Sequence, residues 1–193
     1  MIIQDGTGNG HEAAVDDTNR LLTRCVTESG DIEATELGDH YALTSGAITL
    51  TSTSASAMLF FKNNENYPLY VDRVIINTDD STGGTVDQFI LTITYNPEGL
   101  SSGSGDSITQ VNTNLGSNNT LDLTSEKGLE GASVTGGSVA GAWRIENPTR
   151  MRVIPIRWWM PKGSSVAISY TPPAGNTSMV AVCALNAHLV KHS

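Results

Sequence analysis

Apolar and polar positions alternate with a period of two over much of the chain, and the strongest of this patterning lies after residue 57. Ala57-Met58-Leu59-Phe60-Phe61 is a continuous apolar run that predicts a buried strand, and Asn63-Asn64-Glu65-Asn66-Tyr67-Pro68 predicts the turn that ends it. Leu69 to Asn77 is apolar on both faces, with Leu69, Val71 and Ile75 opposed to Tyr70, Val74 and Ile76, as in a central strand. In Val86 to Tyr95 the alternation is cleaner: Phe89, Leu91, Ile93 and Tyr95 share one face, and Gln88, Thr92 and Thr94 the other. Residues 96–141 read as loop-rich, interrupted by short β-runs at 107–111 and 120–123. Three further strands close the pattern, at Met151–Trp159, Ser165–Tyr170 and Met179–Val190, separated by Pro161-Lys162-Gly163 and Pro172-Pro173-Ala174-Gly175-Asn176. Eight or nine strands without a helical period predict an all-β fold: an antiparallel β-sandwich, jelly-roll-like, with an extended N-terminal arm.

Before residue 57 the pattern weakens. The glycines of Asp5-Gly6-Thr7-Gly8-Asn9-Gly10 discourage regular structure, and the first run of β character is Arg20-Leu21-Leu22-Thr23-Arg24-Cys25-Val26-Thr27. Tyr41–Thr44 and Gly46–Thr51 follow an acidic stretch. Segments this polar bury little apolar area, and ordering each residue costs about 1–2 kcal/mol of backbone entropy. The expected division is an arm over residues 1–45, ordered by docking, and a sandwich over residues 46–193.

Composition fits this picture. Of 193 residues, 22 are Thr, 19 Ser and 19 Gly, which favours turns and short strands over helices. The net charge of −9 argues against a nucleic-acid partner, because phosphate binding needs a basic surface. That charge is uneven: residues 1–45 carry −7, residues 46–142 another −7, and residues 143–193 +5, so opposite ends can attract within or between subunits. No run approaches the roughly 18 apolar residues of a membrane helix, and the start carries no secretory pattern. The expectation is synthesis in a cytoplasm, no membrane partner, and Cys25 and Cys183 as buried free thiols.

Candidate chemistry is sparse. Gly99-Leu100-Ser101-Ser102-Gly103 matches G-x-S-x-G, but a nucleophile elbow needs a strand-to-helix turn, and a Ser/Gly run follows instead. His11, His40, His188 and His192 show no metal-ligand spacing on a helix, and Asp79, Asp80, Asp87, Glu98 and Asp106 read as solvated loop acids. The expectation is therefore no enzyme, no catalytic residue, no metal and no cofactor. Arg157-Trp158-Trp159-Met160 is the most distinctive run. Alternation sends Ile154, Ile156, Trp158 and Met160 to the core and Trp159 outward beside Arg157 and Val153. Three roles fit Trp159 at this point: an interface residue, a sugar-stacking platform, or a ring covered by a loop of its own subunit. Arg20, Arg24, Arg157 and Trp159 are the candidate interface residues.

Asp5-Gly6-Thr7-Gly8, Ala14-Val15-Asp16 and Asn19-Arg20-Leu21-Leu22 resemble the amino-terminal segments of small virion structural proteins of tailed bacteriophages. Pro161-Lys162-Gly163-Ser164-Ser165-Val166 and Pro172-Pro173-Ala174-Gly175-Asn176 resemble strand-loop-strand ends of the same proteins. The resemblance implies a sandwich that decorates or cements the capsid exterior, with the major capsid protein as partner, a homotrimer at sites where capsomers meet, and a terminal arm contacting neighbours. The alternative is a receptor- or carbohydrate-binding module of a head fibre, tail fibre or baseplate, using Trp159 and the loop from Gly99 to Gly105.

Overall fold

The computed structural model describes residues 3–4, 12–13, 30–79, 88–101, 106–146 and 151–191. The chain divides into two units, Met1–Gly30 and Asp31–Ser193. In the first, β1 (Ile3–Gln4) pairs antiparallel with β2 (Glu12–Ala13). The rest of the predicted arm up to residue 29, including Arg20, Arg24, Cys25 and the β-run around them, lies outside the described residues.

A helix, α1 (Gly30–Glu36), precedes the sandwich, where the sequence predicts none. Its seven residues are too few to show a helical period, and its stop signal is clear only in place. The Gly38 N–H bonds Thr35 O at 3.0 Å and the Asp39 N–H bonds Ala34 O at 2.7 Å, closing a Schellman motif with Gly38 at φ 73°. A Cβ on Gly38 would also collide with Ser117.

The sandwich strands are β3 (His40–Leu50), β4 (Ser56–Asn63), β5 (Leu69–Thr78), β6 (Gln88–Tyr95), β7 (Gly99–Leu100), β8 (Thr109–Asn112), β9 (Leu123–Lys127), β10 (Val134–Thr135), β11 (Ser138–Glu146), β12 (Arg152–Met160), β13 (Ser165–Thr171) and β14 (Met179–Leu189). They form two five-stranded antiparallel sheets, β11-β6-β13-β4-β9 and β12-β5-β14-β3-β8, besides the small β10-β7 pair. Successive strands cross between the sheets in the order of a jelly roll, and β8 and β9 extend one edge of each. Between the sheets lie Tyr41, Leu43, Leu59, Phe61, Leu69, Ile76, Phe89, Leu91, Ile168, Tyr170 and Leu185, all buried. Burying each such side chain contributes about 1.5–3 kcal/mol. Among the described residues no helix is long and apolar enough to cross a membrane.

The sandwich is predicted correctly, and four details differ. Its first strand begins at His40, so the division expected at residue 45 falls inside a strand. The two short runs at 41–44 and 46–51 are one strand with a bulge, in which Ser45 and Gly46 stand against Cys183 alone. Gly46 takes φ 65°, and the Ser45 hydroxyl accepts the Cys183 N–H at 3.1 Å. Second, β11 begins at Ser138, inside the stretch to residue 141 that reads as loop-rich, because Gly and Ala leave its start little β signal. Here Gly141 makes room for Trp143, whose ring would lie 2.6 Å from a Cβ at that position. Third, the predicted loops at 99–105 and 134–137 pair in part, Leu100 with Val134 and Gly99 with Thr135. Fourth, the faces of β5 switch at Asp72, where the register with β14 jumps from Arg73/Asn186 to Val71/Ala187. Leu69, Val71, Val74 and Ile76 therefore all reach the core, and Ile75 does not pair with the first two.

Candidate functional site

Four strands of the β12-β5-β14-β3-β8 sheet place one residue each in a single cross-strand row. Register pairs His40 with His188, His188 with Tyr70, and Tyr70 with Trp159. Their sequence neighbours Tyr41, Leu189, Leu69 and Met160 fill the core, so alternation sends this row to the sheet's outer face. Ring centroids are 6.2 Å apart for His40 and His188, 5.2 Å for His188 and Tyr70, and 6.4 Å for Tyr70 and Trp159, the last pair edge-on at 73°. Cross-strand aromatic pairs of this kind contribute roughly 0.2–1 kcal/mol each.

At the inner end of the row the two histidines are buried, 5% and 8% exposed, around one carboxylate. The bulge in β5 brings Asp72 under them. His188 Nδ1 donates to Asp72 Oδ2 at 3.1 Å, and His40 Nε2 lies 3.6 Å from the same oxygen. Thr113 fixes the other side of His40: its N–H donates to the His40 carbonyl at 2.9 Å, and its Oγ1 lies 3.1 Å from that carbonyl and 2.8 Å from Nδ1, within hydrogen-bond reach of both. His40 Nε2 is buried and, among the described residues, makes no hydrogen bond within 3.5 Å; it faces the carboxylate just beyond that length. Full protonation of the ring turns this approach into an ion pair. Burial alone would push the Asp72 carboxyl up, but the hydrogen bond from His188 and the approach of His40 to the same oxygen outweigh it and hold it at about 2.

At the outer end the surface is apolar and basic. Among the described residues β12 is an edge strand, and Met151, Val153, Pro155, Arg157 and Trp159 alternate along its outward side, all exposed. Met151 is 63% exposed, Val153 47% and Trp159 49%. Ile154, Ile156 and Trp158 pack on the core and Met160 is in it, as alternation predicts. Arg157 stands at φ 58°, a left-handed conformation rare outside glycine, where Ile156 and Arg157 together oppose Asp72. This bulge and Pro155, which has no N–H, blunt the edge against addition of another strand. The β12 surface therefore offers side chains rather than backbone.

Of the sequence candidates, Arg157 and Trp159 come together here, and Arg20 and Arg24 lie outside the described residues. Trp159 is 49% exposed among the described residues, on the outward side where alternation places it. Cys183 is a buried free thiol, its titration pushed up by burial. Ser101 sits on a turn after β7 and bonds the Ser133 hydroxyl at 2.7 Å, a strand-to-strand setting unlike a nucleophile elbow. Among the described residues no three His, Cys, Asp or Glu side chains are grouped to hold a metal ion. His40 and His188 are 148 positions apart, so no local spacing announces their pairing; the signal that could have found it is His188 near the end of one predicted strand and His40 immediately before the run that begins at Tyr41. No family model matches the chain, and no curated protein matches it.

Proposed function

We propose that the protein is a non-enzymatic structural component of a phage virion, decorating or cementing the capsid surface, and that the outward side of β12 is the contact between copies in a homotrimer. The observation that carries this reading is the exposed Met151, Val153, Pro155, Arg157 and Trp159 on one blunted edge strand. Trp, Met and Arg are the residue types enriched at protein interfaces, and Trp and Arg dominate their energetic centres. The ring of Trp159 is backed by Tyr70 and the buried histidine pair, so it is held in place before a partner arrives, which lowers the entropy lost on docking. Charge supports the same arrangement. Residues 1–45 carry −7, whereas Arg144, Arg152 and Arg157 lie on β11 and β12. An acidic arm reaching a neighbour's basic side adds weak contacts whose number supplies avidity.

Two measurements separate the parts of this proposal. Light scattering should give a trimer for the intact chain and a monomer for Trp159→Glu, with an unchanged circular dichroism spectrum. A monomeric intact chain would remove β12 as an interface between copies. Deleting residues 1–19 should abolish capsid binding while the sandwich stays folded; full capsid occupancy by the deleted protein would overturn the role given to the arm.

A further inference from the structure

A groove at one end of the sandwich is distinct from the β12 surface. Four separated segments meet there: the start of β3 at Asp39, the β4–β5 turn with Glu65 and Tyr67, the loop at Asn118 and Asn119, and Lys191 after β14. Its volume is about 380 Å³, room for one or two sugar rings and within the range of small-ligand sites. The side chains are held in place. Asp39 is 4% exposed, and its Oδ1 accepts from Lys191 Nζ at 2.7 Å and from Asn119 Nδ2 at 3.3 Å. Both bonds fall on one oxygen, so among the described residues Oδ2 of a buried carboxylate keeps its acceptor capacity. Glu65 is fixed by the Asp122 N–H, which donates to Oε1 at 2.8 Å. Tyr67 is 45% exposed, with the Lys191 ammonium 5.9 Å from its ring centroid.

We propose that this groove binds a neutral saccharide. Sugar hydroxyls are at once donors and acceptors, and the groove offers carboxylates to accept, amides to do both, and an ammonium to donate. The exposed Tyr67 ring presents an apolar face of the kind on which the C–H face of a pyranose rests. Two carboxylates against one ammonium disfavour an anionic glycan. Asp39 already holds an ammonium of its own chain, which disfavours a cationic amine.

Saturation-transfer NMR with lactose, maltose and chitobiose, each at about 10 mM, tests this, since single-groove sugar sites commonly bind near the millimolar scale. The expected result is transfer to at least one of the three. Binding should weaken about tenfold or more in Tyr67→Ala and in Glu65→Gln, with unchanged circular dichroism, and be unaffected in Trp159→Ala. Transfer to none of the three, transfer that survives Tyr67→Ala in a folded protein, a preference for 3′-sialyllactose, or loss in Trp159→Ala would each overturn it. The trimer reading is measured by light scattering, so either proposal can fail alone.

Discussion

The outer face of the β12-β5-β14-β3-β8 sheet departs from ordinary surface patterning in opposite directions at its two ends. Toward β3, polar His40, His188 and Asp72 are largely buried; toward β12, apolar Met151, Val153 and Trp159 are exposed. Buried polar groups cost free energy unless they are paired, and here His188 bonds Asp72, His40 Nδ1 bonds Thr113, and His40 Nε2 is left 3.6 Å from the Asp72 carboxylate. Exposed apolar groups have no such hydrogen-bonding remedy, and in the proposed function a second copy covers them. One row of rings joins the two ends; the polar end is tied into the molecule's own fold, and in the proposed function the apolar end serves assembly.

Substitutions should separate these roles, and the interior sets the scale. Leu43→Ala, on the core side of the strand that carries His40, should cost about 3 kcal/mol, read from urea denaturation, because it empties a fully buried site. Asp72→Ala should cost about 2 kcal/mol at pH 7, since it strands two buried imidazoles. The pH dependence has a defined sign. The Asp72 carboxyl is depressed from 3.8 to about 2 in the fold, so its stabilisation is present above pH 4 and is lost as pH falls through that window. Denaturation midpoints between pH 5 and 2 should fall more steeply for the native chain than for Asp72→Ala. Equal slopes would mean that the carboxylate contributes nothing through its histidines.

The sandwich is legible in the sequence because its strands carry the alternation that a two-sheet core requires, and Trp159 is placed outward by the same argument. What escaped detection lies where backbone geometry breaks the period. One extra residue at Asp72 turns the rest of β5 over, and Gly46 lets two short runs behave as one strand. The strand β11 shows little because its glycine exists for the benefit of Trp143. The His40 and His188 pair depends on strand neighbourhood across 148 positions, which no local pattern encodes. The groove around Tyr67 is assembled from four segments, each of which reads alone as an ordinary polar loop or strand end.

At the apolar end the stability effects should be small and the assembly effects large. Trp159→Ala should change the monomer's stability by less than about 1 kcal/mol, because half the ring is already in water. Loss of a central Trp at an interface costs about 2 kcal/mol or more of association, roughly thirtyfold, so dilution series by light scattering should show the variant dissociating at correspondingly higher concentration. A variant that unfolds as readily as Asp72→Ala would mean that Trp159 belongs with the folded interior.

The smallest effect should have the opposite sign. Arg157 and Gly46 both stand at positive φ in the same sheet, but only the second is a residue that adopts this conformation without cost. Holding a non-glycine residue there costs about 1 kcal/mol or more, and glycine returns part of that gain through its greater freedom when unfolded. Arg157→Gly should therefore stabilise the isolated sandwich by about 0.5 kcal/mol in urea denaturation while weakening association between copies. In the proposed function, strain kept at this exposed edge is maintained for the contact between copies. If Arg157→Gly instead lowers stability and leaves association unchanged, the bulge serves the packing of β12 on β5, and the division between a folding end and an assembly end fails at that residue.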